Sequence, residues 1–208
     1  MESIKAKGFS LVEMSVVLVI IGLILGSVVL FSGVQRSAEY TSIYSRYVQG
    51  WNDVYIEFFN RSGFVVGDGI PATGRVNGNT TSLCDTDMKT VFTNAGIELP
   101  TGRARGAEQL YVYTDSESSL QQLEVCFAHV TTWETSSGQQ PANVMVTKGA
   151  TVDLAMKIDS LIDVNSDAAW GDVRNLSNFD STTSVAWPTL TDSGGDANIV
   201  TIYYRMPF

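Results

Sequence analysis

From Phe9 to Phe31 the chain is almost uniformly apolar; the exceptions are Ser10, Glu13, Ser15, Gly22, Gly26 and Ser27. A helix of that length spans a bilayer core of about 30 Å, at about 1.5 Å of rise per residue. The run exceeds the apolar core of a secretory signal peptide, and no small-residue cleavage site follows it. After Gly33 the pattern becomes amphipathic. Tyr44, Tyr47, Val48, Trp51, Val54, Tyr55, Phe58 and Phe59 recur at spacings of three and four, with Arg46, Asn52, Asp53 and Glu57 on the other side. This periodicity predicts a helix continuing to about Asn60. No proline interrupts residues 9–70, so one helix of about fifty residues, some 75 to 80 Å, is permitted. The glycines at 22, 26, 33 and 50 are the places where it would bend or melt.

Residues 61–83 are rich in Gly, Thr and Asn and read as a long connecting loop. A loop of that length is a candidate contact surface. Met88, Val91 and Phe92 predict a short helix from Asp85 to about Asn94, ended by Gly96. Alternating or β-branched stretches predict strands at Gln109–Tyr113, Leu123–Val130 and Val144–Thr147, then at Ser184–Trp187 and Asn198–Tyr204. Thr151–Ile162 reads as another amphipathic helix. The order implies an α+β fold, one long N-terminal helix laid on an antiparallel sheet.

Glu13 is the anomaly of the apolar run. A carboxylate in hydrocarbon costs at least ~2.5 kcal/mol on the mildest scale, so an acid there points to function. Ahead of the run stand eight short, polar residues carrying Lys5 and Lys7. Gly8-Phe9-Ser10-Leu11-Val12-Glu13 resembles the processing site of type IV pilin-like proteins: a basic leader ending in Gly, then Phe, then Glu at the fifth mature position. The resemblance implies the type IV pilin fold, cleavage between Gly8 and Phe9 by a prepilin peptidase, and N-methylation of Phe9. It divides the chain into a leader (1–8), a transmembrane and filament-core helix (9–31), its amphipathic continuation (32–60) and a globular domain (61–208). Glu13 then has a role in assembly register. Cleavage leaves a positive amine on Phe9 at the depth of a neighbour's Glu13, and pairing the two in a poor dielectric removes two unpaired charges together.

Charge orients the chain. Lys5 and Lys7 precede the apolar run and the first basic residue after it is Arg36, which places the N-terminus in the cytoplasm and the bulk of the chain outside. The net charge is −9, and residues 1–8 carry two lysines and one glutamate, so their loss makes the chain one unit more acidic. No basic patch with interleaved aromatics is present, and nucleic acid is not an expected partner. Cys84 and Cys126 both fall in the exported part, where an oxidising compartment lets them pair; two separate buried thiols are the alternative.

The chain offers one histidine, His129, inside a predicted strand and without a nucleophile placed beside it, and no phosphate-binding glycine loop. No enzyme activity is expected. Calcium is the one metal to weigh. Asp163, Asn165 and Asp167 reproduce positions 1, 3 and 5 of a calcium loop, but Ala168 replaces the turn glycine and Arg174 stands where a bidentate Glu belongs. Asp192 and Asp196 form a second acidic loop, and some pseudopilins of type II secretion systems, which this chain resembles, bind calcium in a C-terminal loop. Solvated turns are the plainer reading. The resemblance implies a subunit of a type IV pilus, partnered by other pilin subunits, the prepilin peptidase, an inner-membrane assembly platform and, before assembly, the membrane. The alternatives are a pseudopilin of a secretion or DNA-uptake system and a single-span adhesion or signalling protein.

Overall fold

The computed structural model describes residues 10–78, 81–188 and 199–208, with the side chains of residues 27–33 outside that description. The chain divides between Glu39 and Tyr40 into two compact units. Helical backbone begins with α1 (Leu11–Ile43), passes through one π-helical stretch (Tyr44–Val48) and continues as α2 (Gln49–Ser62). It ends two residues beyond the predicted Asn60, where Gly63 takes a left-handed conformation (φ 74°) and its N–H reaches Phe59 O. The departure from α geometry falls at Tyr44–Val48 and at none of the four glycines. Gly50 serves packing instead: a Cβ there would lie 3.1 Å from the Cβ of Pro100.

In the second unit, α3 (Asp85–Asn94) precedes β1 (Leu110–Thr114), β2 (Leu120–Thr135) and β3 (Gly138–Thr151). Then follow α4 (Val152–Ile162), β4 (Val173–Asn175) and β5 (Ile199–Arg205). The strands form one antiparallel sheet in the order β1-β2-β3-β5-β4. Within the second unit, helical residues from Tyr40 to Ser62 packed on a five-stranded antiparallel sheet give the α+β arrangement the pattern predicts, consistent with the pilin fold.

The predicted aromatic stripe is the core, and it begins one turn early. Tyr40, Ile43, Tyr47, Val48, Trp51, Val54 and Tyr55 are buried, with Tyr44, Phe58 and Phe59 packed at the margin. Trp51 and Tyr55 meet Phe127 of β2, the latter stacked at 5.3 Å, and Trp51 also meets Phe92 of α3. Each such side chain contributes roughly 1.5–3 kcal/mol by leaving water. Because side chains alternate along a strand, Leu123, Val125 and Phe127 of β2 join this core, while Cys126 and Ala128 join a second cluster with Trp133, Val144 and Val146. The sheet is thus apolar on both faces.

Several boundaries differ from the sequence pattern. β2 and β3 are much longer than Leu123–Val130 and Val144–Thr147, because pairing resumes after an irregularity between Val130 and Trp133 and runs on to Thr135 and Gly138 at the hairpin. β3 carries a bulge between Thr147 and Ala150 at Gly149 (φ 79°), where a Cβ would fall 2.0 Å from Gln122 O. β4, of three residues, is too short to leave a period. Ser184–Trp187 is not a strand; among the described residues its backbone is tied by Val185 O, which accepts the Ala168 N–H, and by Val185 N–H, which donates to Asp167 Oδ1. The last predicted strand is found as Ile199–Arg205, its predicted first residue Asn198 lying outside the described residues.

Candidate functional site

The candidate site is the start of α1. Ser10 is the residue before the helix, and its Oγ accepts the Val12 N–H at 3.3 Å. Glu13 turns back so that its Oε2 accepts the Ser10 N–H at 2.8 Å. This is a reciprocal capping box, satisfying backbone donors that a helix start otherwise leaves bare. Sequence reasoning assigned Glu13 a charge and missed the cap, although Ser-x-x-Glu at residues 10–13 is its signature. Beyond it, every described side chain from Leu11 to Gly26 is exposed, including Leu11 at 86%, Leu18 at 69% and Leu23 at 69%. So much apolar surface on all sides of a helix requires either lipid or another protein around it. Among the described residues no helix is long and apolar enough to cross a membrane. Gly8 and Phe9, the expected cleavage and methylation positions, lie outside the described residues.

Cys84 and Cys126 form a disulfide, 42 residues apart in sequence. It joins the start of α3 to β2 beside a two-bond bridge between Leu83 and Phe127. Glu124 comes near both sulfurs, but sulfurs joined to each other are not metal ligands. Closing a loop of this size stabilises by about 3 to 4.7 kcal/mol on the chain-entropy model. The Cys84→Ser/Cys126→Ser variant is therefore expected to lose about 3–4 kcal/mol in urea unfolding. Its circular dichroism should remain native, since the Leu83–Phe127 bridge holds the same register.

At the calcium-loop positions the carboxylates are engaged with loop backbone. Asp163 accepts the N–H groups of Asp172 and Val173, and Asp167 Oδ1 accepts those of Ala169, Trp170 and Val185. Asp167 Oδ2 accepts the Ser184 hydroxyl, and these bonds hold the Asp167 carboxyl below its usual range against the opposing effect of burial. Both carboxylates organise loop backbone, the role that short acids play in turns. They line an open cavity of about 630 Å³ together with Asn165, Trp170, Thr182 and Ser184. Asp192 and Asp196 lie outside the described residues. Arg174, at the position of the missing bidentate Glu, is buried over the ring of Trp133 at 4.1 Å and donates to Gly171 O and Phe179 O. Burial, with Arg205 nearby, lowers its pKa to about 10.

His129 is a hydrogen-bonded core residue: its Nδ1 lies 2.9 Å from Asn143 Oδ1. Asn143 carried no sequence signal, yet it ties His129 to two chain segments remote in sequence.

The comparisons with known proteins bear on α1. Residues 4–29 match the family described as the prokaryotic N-terminal methylation motif. The chain is prepilin-like. The motif supports a precursor of the type IV pilin or pseudopilin type and implies membrane anchoring, processing by a prepilin peptidase and assembly with other pilin subunits. No curated protein and no solved structure matches the chain.

Proposed function

We propose that this prepilin-like chain is a structural subunit of a type IV pilus filament. The observation that carries the reading is the helix Leu11–Gly26, apolar and exposed all round, with one carboxylate at its start. In the membrane, lipid covers that surface; in a filament, the same helix of neighbouring subunits does. Packing apolar helices against one another needs no change in the globular domain, so one side-chain surface serves both states. Cleavage between Gly8 and Phe9 supplies the amine that a neighbour's Glu13 pairs with, and N-methylation leaves that amine charged. On this reading the chain is acted on by the peptidase and the methylating activity, is passed to an inner-membrane assembly platform, and catalyses nothing itself. Its globular domain lies outside the inner membrane, and the assembled subunit is extracellular.

Mass spectrometry of the N-terminal peptide, taken separately from sheared surface filaments and washed membranes, tests the proposal. Abundant N-methylated Phe9 in the sheared fraction is the expected result. Methylated Phe9 confined to membranes would instead indicate a pseudopilin in a periplasmic assembly. An intact Met1 in both fractions would leave a single-span membrane protein with no part in either filament.

A further inference from the structure

Asp159, near the end of α4, is fully buried. Its Oδ2 accepts three donors: the Trp187 indole N–H at 2.7 Å, the Ser166 hydroxyl at 2.8 Å and the Asp167 N–H at 2.9 Å. Among the described residues its Oδ1 has no hydrogen-bond partner. The load is lopsided, since a carboxylate has acceptor sites on both oxygens. Through those bonds one side chain holds both ends of the irregular segment 166–187, which carries β4.

Among the described residues no cation pairs with the charge. α4 packs on β3, β4 and β5. Lys148 of β3 pairs with Glu124, Arg174 of β4 is spent on two carbonyls and the Trp133 ring, and Arg205 of β5 pairs with Asp172. On α4 itself, Lys157 and Asp153 make no bond to it. The charged groups beside it in the following loop are Asp163, whose carboxylate repels it, and Asp167, whose carboxylate faces Ala169, Trp170, Ser184 and Val185. A buried charge so placed is costly, and one proton removes that cost.

We propose that Asp159 is a clasp that tightens in mild acid: a proton on the bare Oδ1 removes the buried charge while Oδ2 keeps its three donors, so segment 166–187 is held more firmly near pH 5 than near pH 7. Burial foremost, and then Asp163, lift this carboxyl from its ordinary 3.8 to about 6, against the pull of its three donors. In that interval the folded chain binds a proton that the unfolded chain does not, so stability rises as pH falls. Asp68, Asp167 and Glu108 are shifted the other way. Their contributions are lost as pH falls below the ordinary carboxylate range of about 4, outside the window from 7 to 5.

The test uses the full-length processed chain in detergent micelles with EDTA present. Its Tm is expected to rise by about 4 °C between pH 7 and pH 5, the effect of roughly one unit of pKa difference felt across that window. Asp159→Asn, a neutral stand-in for the protonated acid, should lack that rise and melt at pH 7 no lower than the unaltered chain. The indole N–H resonance of Trp187, assigned by its loss in Trp187→Phe, should titrate between pH 5 and pH 7 in the unaltered chain. That readout needs no folded Asp159 variant. A Tm that is flat or falls toward pH 5, a rise retained in Asp159→Asn, or an indole resonance that does not move would each overturn the clasp.

Discussion

Glu13→Ala is expected to insert in the membrane normally and to enter filaments at least about tenfold less well than the unaltered chain. Tenfold corresponds to about 1.4 kcal/mol, a modest demand on a charge pair in a low-dielectric setting. The structure separates two roles that this substitution removes together. In the single chain the Glu13 carboxylate caps its own helix through the Ser10 N–H. In a filament it would also meet a neighbour's amine. Glu13→Gln keeps an oxygen for the Ser10 N–H and discards the charge. If pairing drives incorporation, both variants fail alike. If the cap is what matters, Glu13→Gln assembles and Glu13→Ala does not. Ser10→Ala tests the other half of the box: it removes the hydroxyl facing Val12 N–H, a loss of about 1 kcal/mol of helix capping, and should leave incorporation close to normal. The readout is the ratio of sheared to membrane-bound subunit, with cleavage after Gly8 verified by mass in each strain. Glu13→Gln present in filaments at the unaltered level would reduce Glu13 to a helix cap.

What the sequence made legible is what rests on periodicity or on a local motif. The helix through Trp51 and Tyr55, α3 with Met88 and Phe92, and α4 with Leu154 and Ile158 each present buried side chains three and four apart. The methylation motif is likewise local, matched over residues 4–29. The disulfide was foreseeable because the expected orientation puts both cysteines on the side where an oxidising compartment lets them pair. Features made by distant residues were hidden. Asp159 falls inside the amphipathic stretch Thr151–Ile162 with nothing in the sequence to single it out, and only the fold brings Trp187, 28 residues away, onto its carboxylate. Asp163 and Asp167 have calcium-loop spacing, but spacing cannot show that backbone amides have already taken their oxygens. Ser184–Trp187 has strand composition; one of its ends is bonded to the Asp167 hydroxyl-accepting oxygen and the other to Asp159, so side-chain contacts override its propensity.

Asn143→Ala is expected to be the most damaging single change in the globular unit. Asn143 stands on β3 opposite His129 of β2 and is buried. Its Oδ1 accepts the Val76 N–H at 3.0 Å and lies 2.9 Å from His129 Nδ1. Its Nδ2 donates to Gly74 O at 2.9 Å and to Phe208 O at 2.8 Å. All four hydrogen-bonding positions of the amide are filled. The two carbonyls fix which end is nitrogen, so His129 Nδ1 must carry the proton. Alanine strands the buried Val76 N–H and the His129 N–H, and leaves the Gly74 and Phe208 carbonyls without this donor. At about 1–3 kcal/mol for each group that stays buried, a loss of about 3–4 kcal/mol follows, or roughly 10 °C in Tm. His129→Ala should lose less, because Asn143 then keeps three of its partners. Hydrogen exchange separates this from a general loss of stability. Amides of Val76 and Met206 should exchange faster in Asn143→Ala well before those of β2 do: Val76 N–H loses its acceptor, and losing the tie to Phe208 O loosens the C-terminal residues, Met206 keeping only its bond to the backbone carbonyl of residue 143. Loss of protection spread evenly over the sheet would mean that Asn143 supports the core as a whole. Protection lost only around Val76 and Met206 would mean that this amide is the pin holding the 61–83 loop and the C-terminal residues to the sheet.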